Sequence, residues 1–247
     1  MQPHGDSAAD DVGLRVVFLS YADGLGVPWE QAERLLAEAN LSRRPDELRA
    51  SLLAFTGACG AQPHGCIYLS SPITTGRNHI DRLVERSVSG RPVQPSDREG
   101  VITANKQRAR TVANAVRAQR HETVIDPTAL IDVPDWKQND YHELWVAVIE
   151  QYAKMILFVD DWQYSVGCTT EFRAALRLGL PLVDQRFEPL TYREGVRLLE
   201  AAVAEVDDAP GSGHLLRNEL AAIRALLEEN PDLIGTGDAT HGGSREG

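Results

Sequence analysis

The sequence predicts an α/β fold: a doubly wound, mostly parallel sheet with flanking helices and a C-terminal helical extension. Short apolar runs at residues 66–70, 123–127, 155–159 and 180–184 alternate with longer segments of helical spacing. The intervening segments are long enough for the crossover helices that parallel strands require. The run at 155–159 ends in Asp160-Asp161 and passes through a polar, glycine-bearing loop into a helical pattern, the order in which open α/β sheets place ligands at strand ends.

Taken in order, residues 1–13 are polar and acidic and are expected to be disordered. Leu14-Arg15-Val16-Val17-Phe18-Leu19-Ser20 reads as a short strand, and 21–28 as a Gly/Pro-rich loop. Residues 29–39 and 45–55 have helical spacing, the second opened by Pro45-Asp46-Glu47, with proline early and acids in the first turn. The strand Cys66-Ile67-Tyr68-Leu69-Ser70 runs into a small polar loop, Ser71-Pro72-Ile73-Thr74-Thr75-Gly76-Arg77-Asn78. A loop at 87–97 precedes a long helix at 99–119, and a helix at 139–152 precedes the strand at 155–159. Ser165 to Glu171 is read as a loop that places Glu171 in the first turn of a helix ending at Gly179. Two amphipathic helices, 191–206 and 215–229, are split by Ala209-Pro210-Gly211-Ser212-Gly213. The resulting plan is a tail at 1–13, a strand-helix extension at 14–62, a Rossmann-like or flavodoxin-like core at 63–187, helices at 188–232 and a disordered tail at 233–247.

With 247 residues, 43% of them hydrophobic, the chain is long enough to bury a substantial core. A formal net charge of -11 argues against a nucleic-acid polymer as partner, because such binding rests on neutralised phosphates. From Thr74 to His121, however, ten Lys/Arg face four acids, a local balance that suits a small anionic ligand or simply a solvated helix face. Cys59, Cys66 and Cys168 are odd in number and lack metal-ligand spacing. A reducing, cytoplasmic setting is expected, with no metal, no cofactor and no membrane span.

Glu171 is the leading candidate for chemistry. A carboxylate at a helix start is often one half of a capping box, which needs Ser or Thr three residues earlier; Cys168 stands there and caps poorly. Gly167 permits close backbone approach or positive φ. Ser165 either closes the turn or, with neighbouring amides, binds an anion at the helix mouth. The loop carrying Ser70, Ser71, Gly76, Arg77 and Asn78 is a plausible phosphate cradle, although it has neither a Walker pattern nor GxGxxG.

Two motifs give these residues a context. The stretch from Ile67 to Arg77 resembles the opening strand and loop of the nucleoside 2-deoxyribosyltransferase superfamily, most closely its 2'-deoxynucleoside 5'-monophosphate N-glycosidase branch. The stretch from Ser165 to Glu171 resembles the second motif of that family, in which a serine and a glycine lead to a glutamate and a helix. The resemblance covers about residues 65–185. It implies that Glu171 is the nucleophile, Tyr68 holds its carboxylate, Ser165 contacts the phosphate, and Arg77 lies near the ligand. It also implies a homodimer acting on a nucleotide or nucleoside.

One position departs from the pattern: Val146 stands where the family has an aspartate that assists the leaving base. Glu143, one helical turn earlier, is the substitute expected, with His142, Asp140, Asp160 and Asp161 as further acids or hydrogen-bonding groups. Asp161 is also counted among the substrate contacts. The residue types suit N-glycosidic cleavage independently, since a carboxylate stabilises or bonds to an oxocarbenium-like centre. Two other readings stay open: a phosphoribohydrolase of the cytokinin-activating type, which wants a richer glycine loop than Gly167-Cys168-Thr169-Thr170, and a nucleotide-sensing or scaffold protein without chemistry.

Overall fold

The computed structural model describes residues 7–38, 44–77, 79–82, 95–207 and 213–233. It is an α/β protein with a four-stranded parallel sheet in the order β2-β1-β3-β4. The strands are β1 (Cys66–Ser70), β2 (Val124–Ile125), β3 (Ala153–Phe158) and β4 (Leu182–Asp184). Ile67 pairs with Val124 and Tyr68 with Ile125, while Ile156, Leu157 and Phe158 pair with Leu182, Val183 and Asp184. The first strand is buried at all five positions, as expected for a parallel sheet covered on both faces.

The chain divides into two compact units, residues 1–69 with 110–153, and residues 70–109 with 154–247. The first contains α1 (Ser7–Gly24), α2 (Trp29–Glu38), α3 (Pro45–Ala58), α5 (Gln138–Tyr152) and the second half of α4 (Pro95–Gln119). The predicted strand at 14–20 is the middle of α1. Leu14, Val17, Phe18 and Tyr21 are among its buried positions, a helical spacing that a short run of β-branched and aromatic residues obscured. Phe18 meets Phe55 edge-on at 5.2 Å, and the Tyr21 hydroxyl lies 2.6 Å from Thr56 Oγ1. Gly24 closes the helix against β2's exit: its carbonyl accepts from Asp126 N at 2.7 Å, and a Cβ there would sit 2.5 Å from Asp126 O. Residues 7–13, expected to be disordered, begin α1; residues 1–6 lie outside the described residues.

The second unit contains the first half of α4, then α6 (Val166–Leu178), α7 (Tyr192–Asp207) and α8 (Gly213–Glu229). The expected loop at 87–97 falls largely outside the described residues, but Pro95 to Asp97 already open α4. Most of the split at 209–213 and the tail at 234–247 also lie outside them. Phe172 centres the packing. Its ring stacks on Trp162 at 5.0 Å and meets Phe158 and Tyr192 edge-on at 6.0 and 6.4 Å. Leu199, Val206, Leu216 and Ile223 bury the facing sides of α7 and α8, each worth roughly 1.5–3 kcal/mol of transfer free energy. Among the described residues no helix is long and apolar enough to cross a membrane.

Candidate functional site

The site is built within the second unit, from the end of β1 and the start of α6. Helix α6 begins at Val166, earlier than the sequence suggested, so Glu171 lies in its second turn and the first turn holds no acid. Ser165 is the N-cap. Its backbone is extended, with φ -113° and ψ 121°, and its Oγ accepts from Cys168 N at 3.5 Å, the long end of such a bond. The capping argument therefore applies to Ser165, and Cys168 stands at the third helical position. Gly167 is helical and is not among the positive-φ glycines, so of the two roles open to it the left-handed one is not used.

Ser70, fully buried at the last position of β1, donates from Oγ to Glu171 Oε2 at 2.6 Å. Its own carbonyl accepts from Val159 N at 2.9 Å, so the hydroxyl is carried on fixed backbone. Phe172, next to Glu171, is locked in the aromatic cluster and fixes the helix on which the carboxylate rides. The Cys168 thiol lies within hydrogen-bond reach of Ser70 and Ser165; burial, and then the Glu171 charge, push it well above the ordinary thiol range. It is a packed thiol, not a nucleophile. Beside Ser70, the buried Ser71 Oγ has no hydrogen-bond partner among the described residues.

The loop after β1 is tightly held. Gly76 has φ +96°, and a Cβ there would come within 2.9 Å of Pro72 Cβ. Asn105, buried on α4, donates from Nδ2 to the carbonyls of Ile73 at 3.1 Å and Thr75 at 2.8 Å. Sequence reasoning missed Asn105. A single polar residue inside a helical pattern is the signal it offered, and that signal is common on solvated faces.

Arg77 reaches the residue before the α6 cap: its Nη1 donates to Tyr164 Oη at 3.1 Å, and its guanidinium carbon lies 5.5 Å from the Tyr164 ring centroid. It is also paired with Asp81 at 2.9 Å and with Glu205, on α7, at 2.5 Å. Burial first, and then the bond to Glu205, raise the Tyr164 phenol above its ordinary value. The phenol is therefore a donor, and it points at Glu205 Oε2 at 2.5 Å.

Each of the other expected residues is described within its own unit. Tyr68 is buried in β1, and its ring meets Trp145 at 6.3 Å within the first unit. Glu143, also in the first unit, is exposed on α5 and pairs with Arg49 at 3.0 Å. Asp140 caps the same helix by accepting from Lys137 N at 2.7 Å. Asn78 lies outside the described residues. Asp161, in the left-handed region at φ 70°, accepts from Arg108 Nη1 at 3.0 Å. It lines a cleft of about 410 Å³ with Trp162, Asp184 and Glu188, and Glu171 is not part of that lining. Among the described residues, no group of three or more His, Cys, Asp or Glu is placed to hold a metal ion. No family model, curated protein or solved structure matches the chain.

Proposed function

We propose that the protein cleaves the N-glycosidic bond of a nucleoside 5'-monophosphate or related nucleotide, with Glu171 as nucleophile. The observation that carries this reading is the Ser70–Glu171 pair: a carboxylate at a strand end, on a helix anchored by Phe172, with one oxygen oriented by a buried hydroxyl at 2.6 Å. In the proposed reaction a Glu171 oxygen bonds to the anomeric carbon. The carbon–nitrogen bond breaks, its electron pair leaves with the base, and the base takes up a proton. Water then adds to the anomeric carbon and releases Glu171; a second base in place of water would make the enzyme a transferase. Tyr68 enters through the family resemblance, as positioner, and so does the homodimer. Glu143 enters as the proton donor in place of the acid that Val146 replaces. The cytoplasmic setting rests on the three cysteines that lack metal-ligand spacing. Ser165 and the amides at the α6 mouth favour an anion, which supports a phosphorylated substrate.

A panel of ribo- and deoxyribonucleoside monophosphates, followed chromatographically for free base, tests the reading. Release from at least one nucleotide, abolished in Glu171→Gln, is the expected result. No release from any, or equal release by the variant, would refute it.

One observation favours a non-catalytic nucleotide sensor as the second reading: Arg77 is already paired with two carboxylates, which suits a protein whose output is binding. Calorimetric binding of a monophosphate without turnover would select that reading.

A further inference from the structure

The Arg77 cluster has a geometry that ordinary surface ion pairing does not require. Both oxygens of Glu205 are engaged, Oε1 by Arg77 Nη1 at 2.5 Å and Oε2 by the Tyr164 hydroxyl at 2.5 Å. A guanidinium and a phenol thus converge on one oxyanion, the arrangement that recognises carboxylates and phosphates. The anion they hold is supplied by the chain itself, from the last turn of α7, where the helix dipole disfavours negative charge. Helix geometry therefore gives no reason for an acid at this position, whereas the two donors do. Tyr164 immediately precedes the α6 cap, so the seat adjoins the helix mouth. Arg77 and Glu205 are 40% and 41% exposed, which leaves the pair open to exchange with a solute anion.

We infer that Arg77 and Tyr164 form an oxyanion receptor for a phosphoryl group, and that Glu205 is an internal competitor seated in it. Binding of a phosphate-bearing ligand displaces Glu205, which swings to solvent with its helix end. Wild-type affinity is lowered by the cost of vacating the seat. Asp81, on Arg77 Nε, stays in place and orients the guanidinium. The inference rests on the proposed nucleotide reading only for the identity of the natural ligand; the receptor itself is defined by the three side chains.

The test titrates inorganic phosphate into the full-length protein by calorimetry, at low salt, for wild type, Glu205→Gln and Glu205→Gln/Arg77→Ala. A control, Glu200→Gln, removes the same charge one turn or so away, where the carboxylate pairs with Arg224. Glu205→Gln is expected to bind about fivefold more tightly than wild type, the scale of one half-exposed ion pair. The double variant loses that gain, and Glu200→Gln matches wild type. Equal affinity in wild type and Glu205→Gln, including no measurable binding to either, overturns the inference. So does an equal gain in Glu200→Gln, or a gain that survives loss of Arg77. Circular dichroism confirms folding, and Glu205→Ala repeats the comparison if the amide variant misfolds. If phosphate binds as predicted while no variant releases base from any nucleotide, the nucleotide-cleavage reading fails and the receptor stands.

Discussion

Ser70 Oγ and Glu171 Oε2 lie 2.6 Å apart, although 101 residues separate them in the chain. The bond joins the last residue of β1 to the second turn of α6, and it fixes one oxygen of the proposed nucleophile. Ser70→Ala keeps the strand but removes the donor. A charge-assisted bond to a half-buried carboxylate, discounted for solvent, is worth about 1.4 kcal/mol, so kcat is expected to fall about tenfold with KM little changed. Steady-state kinetics on whichever nucleotide is cleaved checks this. A rise in KM alone would assign Ser70 to ligand binding.

The sheet was legible because buried parallel strands are short, continuous and apolar, and Cys66 to Leu69 and Met155 to Phe158 have that form. Helix α1 was not, because Val16, Val17 and Phe18 look like a strand when read alone. The buried series Leu14, Val17, Phe18, Tyr21 and Leu25 becomes visible only over a longer window. Glu171 could be singled out from its local context. Its partner Ser70 could be named as part of a loop motif, but not as the donor to that carboxylate, since pairing across the sheet is a tertiary property. The start of α6 was misjudged because Val166, Gly167, Thr169 and Thr170 are weak helix formers; Ser165 as cap and the packing of Phe172 override them.

Phe172 and Gly195 are packed so closely that a Cβ at position 195 would sit 2.4 Å from the ring. Gly195→Ala is therefore expected to destabilise the protein by about 1–3 kcal/mol through overpacking. Because Phe172 follows Glu171, catalytic activity should fall as well. Urea unfolding and a nucleotide-cleavage assay on the same preparation measure both effects. Unchanged stability would show that the ring has room to move.

Asn105 holds the loop that carries Arg77 through two carbonyls. Asn105→Leu leaves both without this donor, at a cost of about 1–3 kcal/mol. The looser loop should raise KM for a phosphorylated substrate by several-fold and leave kcat nearly constant. Thermal unfolding and initial-rate kinetics test the pair of effects, and a change confined to kcat would contradict the assignment.

Asp126 gives a pH signature. Burial raises its carboxyl above the ordinary value, against the opposing bonds from Thr128 and the Arg117 charge. The folded state therefore holds this proton more tightly than the unfolded chain. Its contribution to stability is fully present below the unfolded value of about 3.9 and is lost as pH rises through the higher folded value. Asp126→Asn keeps an oxygen to accept from Thr128, and should flatten that part of the profile. Urea denaturation of both proteins between about pH 4 and 7 makes the comparison, and parallel curves would remove Asp126 from the account.

The most direct measurement concerns Glu171. A 2'-fluoro-arabinosyl nucleoside monophosphate slows breakdown of a glycosyl-enzyme by disfavouring positive charge at the sugar. Intact-mass spectrometry followed by peptide mapping then locates any adduct. The prediction is one sugar-phosphate per chain, esterified to Glu171 and absent in Glu171→Gln. An adduct on another residue, or base release by wild type with no adduct at Glu171, would contradict the central claim.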